Sequence, residues 1–107
     1  MEQLNKIEIQ GIVGNVRIQD VADTKVANFS VATNYAYKSK DGGIIIETTW
    51  HNVVAWEGKE IQNLDQLEKG SFVHICGRLR NRKYIASDGS GRTVCDIVAK
   101  SMELLTK

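Results

Sequence analysis

Apolar and polar residues alternate along most of this chain, with the two-residue period of half-buried strands. Ile7-Glu8-Ile9-Gln10 opens the pattern, and Ile12, Val13, Val16 and Ile18 continue it across Gly11 and Gly14. Glycine inside a strand pattern marks a bulge or a sharp bend. A second strand is predicted over Val26 to Thr33, with Ala27, Phe29, Val31 and Thr33 on one face. Asn34 to Gly43 is polar, aromatic and basic, and ends in Asp41-Gly42-Gly43, a hairpin signal. A third strand is predicted from Ile44 to Trp56. In Glu57 to Lys69, Ile61, Leu64 and Leu67 stand between charges at helical spacing, and Gly70 is placed to terminate a helix. Alternation returns over Ser71 to Tyr84, with Val73, Ile75, Gly77 and Leu79 on one face. A turn cluster at Ser87 to Gly91 separates this strand from a last one over Thr93 to Leu105.

Strand, strand, strand, helix, strand, strand is the element order of the OB-fold, an all-β, five-stranded Greek-key barrel with one helix between strands 3 and 4. The bend glycines of the first strand favour a barrel over an open sheet. At 107 residues, with no proline and no linker-like or repeated segment, the whole of residues 1–107 is expected to be one domain. A fold of this kind does not by itself carry a function.

The formal net charge is only +1, from 14 Lys and Arg against 13 Asp and Glu, so distribution matters more than the total. Glu57, Glu60, Asp65 and Glu68 gather on the expected helix, which leaves the sheet basic. Two cysteines, Cys76 and Cys95, form no CxxC pair and no disulfide framework. No apolar run approaches the roughly 20 residues of a membrane helix, and the first residues lack the apolar core of a secretory signal. Reduced thiols and a cytoplasmic location are expected, without membrane contact.

The third strand carries the clearest chemical signal. Alternation places Trp50, Asn52, Val54 and Trp56 on one face and His51, Val53 and Ala55 on the other. The second face supplies core positions, so the tryptophans are expected to point outward, where large aromatics mark a binding surface. Nucleobases present a π-face whatever their identity, so such a surface suits sequence-tolerant stacking. In the fourth strand, Arg78, Arg80, Arg82 and Tyr84 share a face in a stretch with four cations and no acid. A solvated basic edge would look the same, but an aromatic at the end of an arginine row suits phosphate contact beside stacking. Asn34-Tyr35-Ala36-Tyr37-Lys38-Ser39-Lys40 repeats the mixture of aromatics and lysines.

Catalytic signatures are absent: there is no HExxH, GxSxG or phosphate-binding glycine loop. His74 and Cys76 share a strand face and are able to ligate a metal, but two ligands do not make a site. No cofactor is called for. His51 reads as a structural histidine and His74 as a surface or interface residue.

Val26 to Thr33, Thr49-Trp50-His51-Asn52-Val53-Val54, Lys69-Gly70-Ser71 and Gly77 to Tyr84 together resemble the bacterial single-stranded DNA-binding protein family. So do the Asp88-Gly89 turn and Met102-Glu103-Leu104-Leu105, and the resemblance runs from about Lys6 to Leu105. It implies a non-enzymatic OB-fold that assembles as a homotetramer and binds single-stranded DNA in replication, recombination and repair, near the nucleoid. The family's stacking aromatics fall on Tyr37, Trp50, Trp56 and Tyr84. The phosphate contacts expected beside them are Lys38, Lys40, Arg78, Arg80 and Arg82, with Asn52 between the tryptophans.

The chain departs from the family in three places. Gly14 to Gln19 lacks the Asp-Pro-Glu segment common there, and Ile44-Ile45-Ile46 is unusually apolar for this hairpin. The acidic tail that recruits partner enzymes is not seen, so such recruitment is not implied. Self-association is expected on physical grounds as well, because a small core is limited and Ile7, Ile9 and Ile12 offer an edge for pairing. The rival readings are a primosomal OB-fold such as primosomal replication protein N, acting mainly as a scaffold; a purely structural OB-fold; and a small metal-dependent enzyme.

Overall fold

A computed structural model describes residues 2–62 and 64–105; Met1, Asn63, Thr106 and Lys107 lie outside the described residues. The strands are β1 (Ile7–Val21), β2 (Thr24–Lys38), β3 (Ile44–Trp56), β4 (Phe72–Ile85) and β5 (Gly91–Leu104). They close into a barrel in the order β1-β2-β3-β5-β4, as expected for an OB-fold. All neighbours are antiparallel except β3 and β5, which pair in parallel through Asn52↔Asp96, Val53↔Ile97 and Val54↔Val98. No described helix is long and apolar enough to cross a membrane.

β1 serves two neighbours, and its glycines make that possible. Ile7 to Ile12 pair with β4, and from Ile12 onward the strand pairs with β2, with a register shift between Val13 and Val16. A Cβ on Gly11 would sit 2.2 Å from the Ala32 carbonyl oxygen, so only glycine permits this approach. The bend predicted from Gly11 and Gly14 is therefore present, and it carries β1 from one side of the barrel to the other.

The predicted helix is not. Between β3 and β4 the chain makes a Gly58↔Ile61 bridge and a single 3-10 turn, Leu64–Gln66. The reason lies in the spacing: Ile61, Leu64 and Leu67 recur every three residues, the 3-10 period rather than 3.6. All three side chains are nonetheless buried and join the core formed by Val13, Phe29, Val31, Val53, Val73, Ile75 and Ile97. Asp65 fixes the connector to β2 through an ion pair with Lys25 at 2.7 Å. Gly70 does not end a helix; it takes φ +94° in the turn that leads into β4.

Two hairpins run longer than the sequence pattern suggested. β2 continues through Asn34 to Lys38, beyond the predicted end at Thr33, and pairs with β3 as far as Lys38↔Ile44. β4 and β5 likewise pair to Ile85↔Gly91. Leu79, expected on the core face, is exposed, although its ladder partner Ile97 is buried in the core. Cys76 and Cys95 are both free, and Cys95 is exposed.

Candidate nucleic-acid interface

The strand registers decide which predicted site residues share a surface. Side chains paired across a ladder point to the same face, and successive residues to opposite faces. Phe29↔Val53 and Val53↔Ile97 define the inward face. One step along, Ser30↔Asn52, Asn52↔Asp96 and Arg80↔Asp96 define an outward row across β2, β3, β5 and β4. Trp50 and Trp56 flank Asn52 on that outward face, and Arg78, Arg82 and Tyr84 flank Arg80. Eight of the ten predicted residues, Lys38 at the far end of the β2–β3 ladder included, therefore share one sheet face. Trp50 is 59% and Trp56 45% exposed, as the aliphatic opposite face of β3 requires. His51 faces inward, where its Nε2 lies 2.9 Å from the Thr33 hydroxyl, in keeping with a structural histidine.

The indole of Trp50 rests on β1. A Cβ built on Gly14 would stand 2.6 Å from its Cζ3 and 2.7 Å from Ser30 Oγ. Gly14 thus leaves room for the edge of the indole, and Trp50 stays more than half exposed. The adjoining concavity is lined by Gly14, Asn15, Ser30, Trp50 and Lys69, which puts a cation beside the indole. Lys69 carried no site signal in the sequence, since it lies 19 positions from Trp50 in the connector.

At the centre of the surface sits a residue that sequence reasoning missed. Asp96 is 1% exposed. Its carboxylate accepts a hydrogen bond from Arg82 Nε at 2.7 Å and one from an Arg80 terminal nitrogen at 3.3 Å. Arg82 holds the Asp96 carboxyl below the usual carboxylate range, against the opposing effect of burial, with Arg80 adding to the lowering. The arginine row is therefore not free of acid: Asp96 cancels one of its charges and fixes two guanidinium planes. Each guanidinium keeps further N–H donors, and the Arg82 side chain is still half exposed. Arg80 Nε is buried without a partner among the described residues. Beside this triad lies a polar concavity of about 400 Å³ lined by Asn15, Arg17, Asn28, Ser30, Asn52, Arg82 and Asp96 among others. Of these, only Asn52 and Arg82 were expected.

The outlying predicted residues lie farther from the tryptophans and the triad. Tyr37 pairs with Ile45, five positions from the Ala32↔Trp50 pair, and so projects from the opposite side of the β2–β3 ribbon. It is exposed there next to Tyr35, with ring centroids 6.2 Å apart. Lys38 and Lys40 are exposed at the tip of the same ribbon, roughly 20 Å from Trp50 at the rise of a strand, rather than clustered with the tryptophans. Asp41, beside Lys40, is held in the turn by hydrogen bonds from Ser39 Oγ and the Gly43 N–H, which lower its pKa. Arg78 borders a separate concavity with Lys6 and Lys100. Tyr84 lies opposite Arg92 near the end of the β4–β5 ribbon, in a shallow hollow that also includes Lys83.

Comparison with known proteins decides the family. The sequence model of the Single-strand binding protein family matches residues 4–105. The chain belongs to the single-strand binding protein family. A single-stranded DNA-binding protein of Neisseria meningitidis is 36% identical over 95% of this chain, which spans 60% of that relative's length. Single-stranded DNA-binding protein 1 of Xylella fastidiosa is 36% identical over the full chain and 81% of its own length. Among solved structures, a Plasmodium falciparum single-strand binding protein in complex with single-stranded DNA superposes with a TM-score of 0.83 at 27% identity, covering 99% of this chain and 98% of that one. A deletion mutant of the Thermus aquaticus protein shares the fold, with a TM-score of 0.74 at 18% identity over 96% of this chain and 51% of that one. Membership in the family agrees with the resemblance read from Val26 to Thr33, Trp50-His51 and the Gly77 to Tyr84 segment.

Proposed function

We propose that this single-strand binding family member holds single-stranded DNA, with little sequence preference, on the outward face of β3, β5 and β4. One observation carries the reading: both tryptophans are exposed on the same sheet face as the Arg80–Asp96–Arg82 triad. Exposed indoles offer stacking at about 1–3 kcal/mol per base. Guanidinium donors fixed by Asp96 offer phosphate contacts with little ordering cost. Trp50, Trp56 and Tyr84 are the stacking residues, Asn52 contacts the strand between the tryptophans, and Arg80 and Arg82 bind phosphate. Tyr37, Lys38 and Lys40 act as a second contact zone, reached by a strand that passes over the edge of the β2–β3 ribbon. Arg78 with Lys6 guides the strand at the opposite end. The function is protection of exposed strands in replication, recombination and repair, without catalysis.

We further propose a homo-oligomer, on the family pattern a tetramer. From Ile7 to Gly11, β1 is paired with β4 alone, leaving its other edge open to a second copy. Several copies raise avidity on one strand without new contacts. Light scattering across a concentration series reads this directly: a persistent monomer of the 11.9 kDa chain contradicts it.

Intrinsic fluorescence tests the binding itself. Titration with oligo-dT is expected to quench the tryptophan emission strongly, with an equal concentration of duplex competing poorly. Unchanged emission on saturating oligo-dT would leave the chain a scaffold rather than a DNA binder.

A further inference from the structure

β3 has a strand on both sides only near its end. Its parallel pairing with β5 covers Asn52, Val53 and Val54. Ile44 to His51 pair with β2 on one side and, among the described residues, with no strand on the other. Every residue from Ile44 to Trp50 is exposed, with Ile44 at 73%, Ile45 at 41% and Ile46 at 65%. The far edge of this segment therefore carries unpaired backbone donors and acceptors beside three large aliphatic side chains. Natural sheets guard such edges with lysine, proline or a bulge. Here there is no lysine or proline from Ile44 to Thr49, and Glu47 is the one charge. The ladder with β2 runs without a register shift, so no bulge turns the edge away. Isoleucine and threonine also favour the extended chain.

We propose that this edge pairs antiparallel with the same edge of a second copy and so joins neighbouring assemblies along one DNA strand, an inference that rests on the DNA binding proposed above. Charge selects the register. A two-fold axis at Glu47 would set two carboxylates opposite each other, which is unfavourable, and an axis at Ile46 would set Glu47 against Ile45. With the axis at Ile45, Ile44 faces Ile46 of the second copy and Glu47 faces Gly43, which has no side chain to obstruct it. Because Tyr37 pairs with Ile45 within each copy, one row of Tyr37, Ile45, Ile45 and Tyr37 then crosses the joint. The β2 edge and both sheet faces stay open, so the contacts proposed at Tyr37, Lys38 and Lys40 are kept, and a bound strand passes from one copy to the next.

Three isoleucines on a strand edge fall well short of the roughly 800 Å² per partner of a stable interface. The joint therefore does not hold free assemblies together. It forms when one DNA strand carries two of them and supplies the effective concentration. This separates it from the β1 edge, which is proposed to build the assembly itself.

Fluorescence titration of the full chain with two lengths of oligo-dT reads the joint, the short one holding a single assembly and the long one several, as their saturation points show. Binding to the long oligonucleotide is expected to be cooperative. In the double variant Ile44→Lys, Ile46→Lys, lysines face lysines across the axis. Its cooperativity falls by about tenfold, the order expected for lost cross-strand pairs, while its affinity for the short oligonucleotide does not fall. Ile45→Cys, combined with Cys76→Ala and Cys95→Ala, sets two thiols directly across the axis, at a Cα separation of about 4.5–5.5 Å that suits a disulfide. Oxidation is expected to link it into dimers on the long oligonucleotide and not on the short one. Glu47→Cys in the same background stands about 13 Å from its counterpart and stays unlinked. Circular dichroism and short-oligonucleotide affinity confirm that each variant is folded. Parent-like cooperativity in the lysine variant, no Ile45→Cys dimer on the long oligonucleotide, or equal linking of Glu47→Cys would overturn the proposal. Normal binding of the short oligonucleotide without cooperativity on the long one overturns this inference alone, whereas no quenching by either length overturns the DNA reading and this inference with it.

Discussion

Replacing Asp96 with Asn removes the acid from the arginine row while keeping its size. The carboxylate is buried, at 1% exposure, and accepts from both Arg82 and Arg80. An amide in its place accepts from one guanidinium but turns N–H donors toward the other. Hydrogen bonds to charged groups contribute about 1.5–3 kcal/mol each. The arginine side chains are 38% and 50% exposed, so solvent screening lowers the contribution of both pairs. A net loss of about 2–3 kcal/mol follows, which for a domain of this size lowers the melting temperature by about 10–20 °C. DNA binding moves the other way. The triad's charge rises from +1 to +2, enough for one more phosphate, and the log–log salt dependence of binding steepens by about 0.7. Thermal unfolding and oligo-dT titrations at several salt concentrations, at a temperature where the variant is folded, read the two effects. A folded variant with an unchanged or shallower salt slope would show that Arg80 and Arg82 do not face the strand.

Three further outcomes are expected. Gly14→Ala pushes the Trp50 indole away from β1, and oligo-dT affinity falls by about 1–3 kcal/mol while the strand content seen by circular dichroism is kept. Leu64→Ala opens a void under the connector and costs about 2–5 kcal/mol in denaturant unfolding, without altering DNA affinity in buffer. Because Asp96 has a lowered pKa in the folded state, its contribution is fully present above the unfolded value of about 3.9 and is lost as pH falls through the folded value. Asp41 and Asp88 are lowered as well, so the relevant quantity is the stability difference between the parent and Asp96→Asn, which shrinks below about pH 4.

The barrel was legible in the sequence because two-residue alternation survives wherever one face is buried. Val53 and Ala55 against Trp50 and Trp56 is the plainest case. The connector was misread because a three-residue apolar spacing fits a helix loosely and a 3-10 turn well. The length of β2 was hidden because Asn34 to Lys38 bury nothing, so their strand character comes from pairing with β3 rather than from hydrophobic pattern. Asp96 escaped notice for another reason: it reaches Arg80 and Arg82 through the β4–β5 ladder from 14 to 16 positions away, a distance over which sequence gives no sign of contact. The opposite placement of Tyr37 and Trp50 also depends on a cross-strand register, Ala32↔Trp50 and Tyr37↔Ile45, that composition does not encode.

The account stands most directly on the two indoles. Oligo-dT affinity of the Trp50→Ala, Trp56→Ala double variant, measured by the anisotropy of a labelled oligonucleotide at fixed salt, tests it. With the fold intact by circular dichroism, the expected loss is about 2–6 kcal/mol, from stacking of about 1–3 kcal/mol per base. Parent-like affinity in the folded double variant would contradict the claim that this sheet face binds single-stranded DNA by stacking.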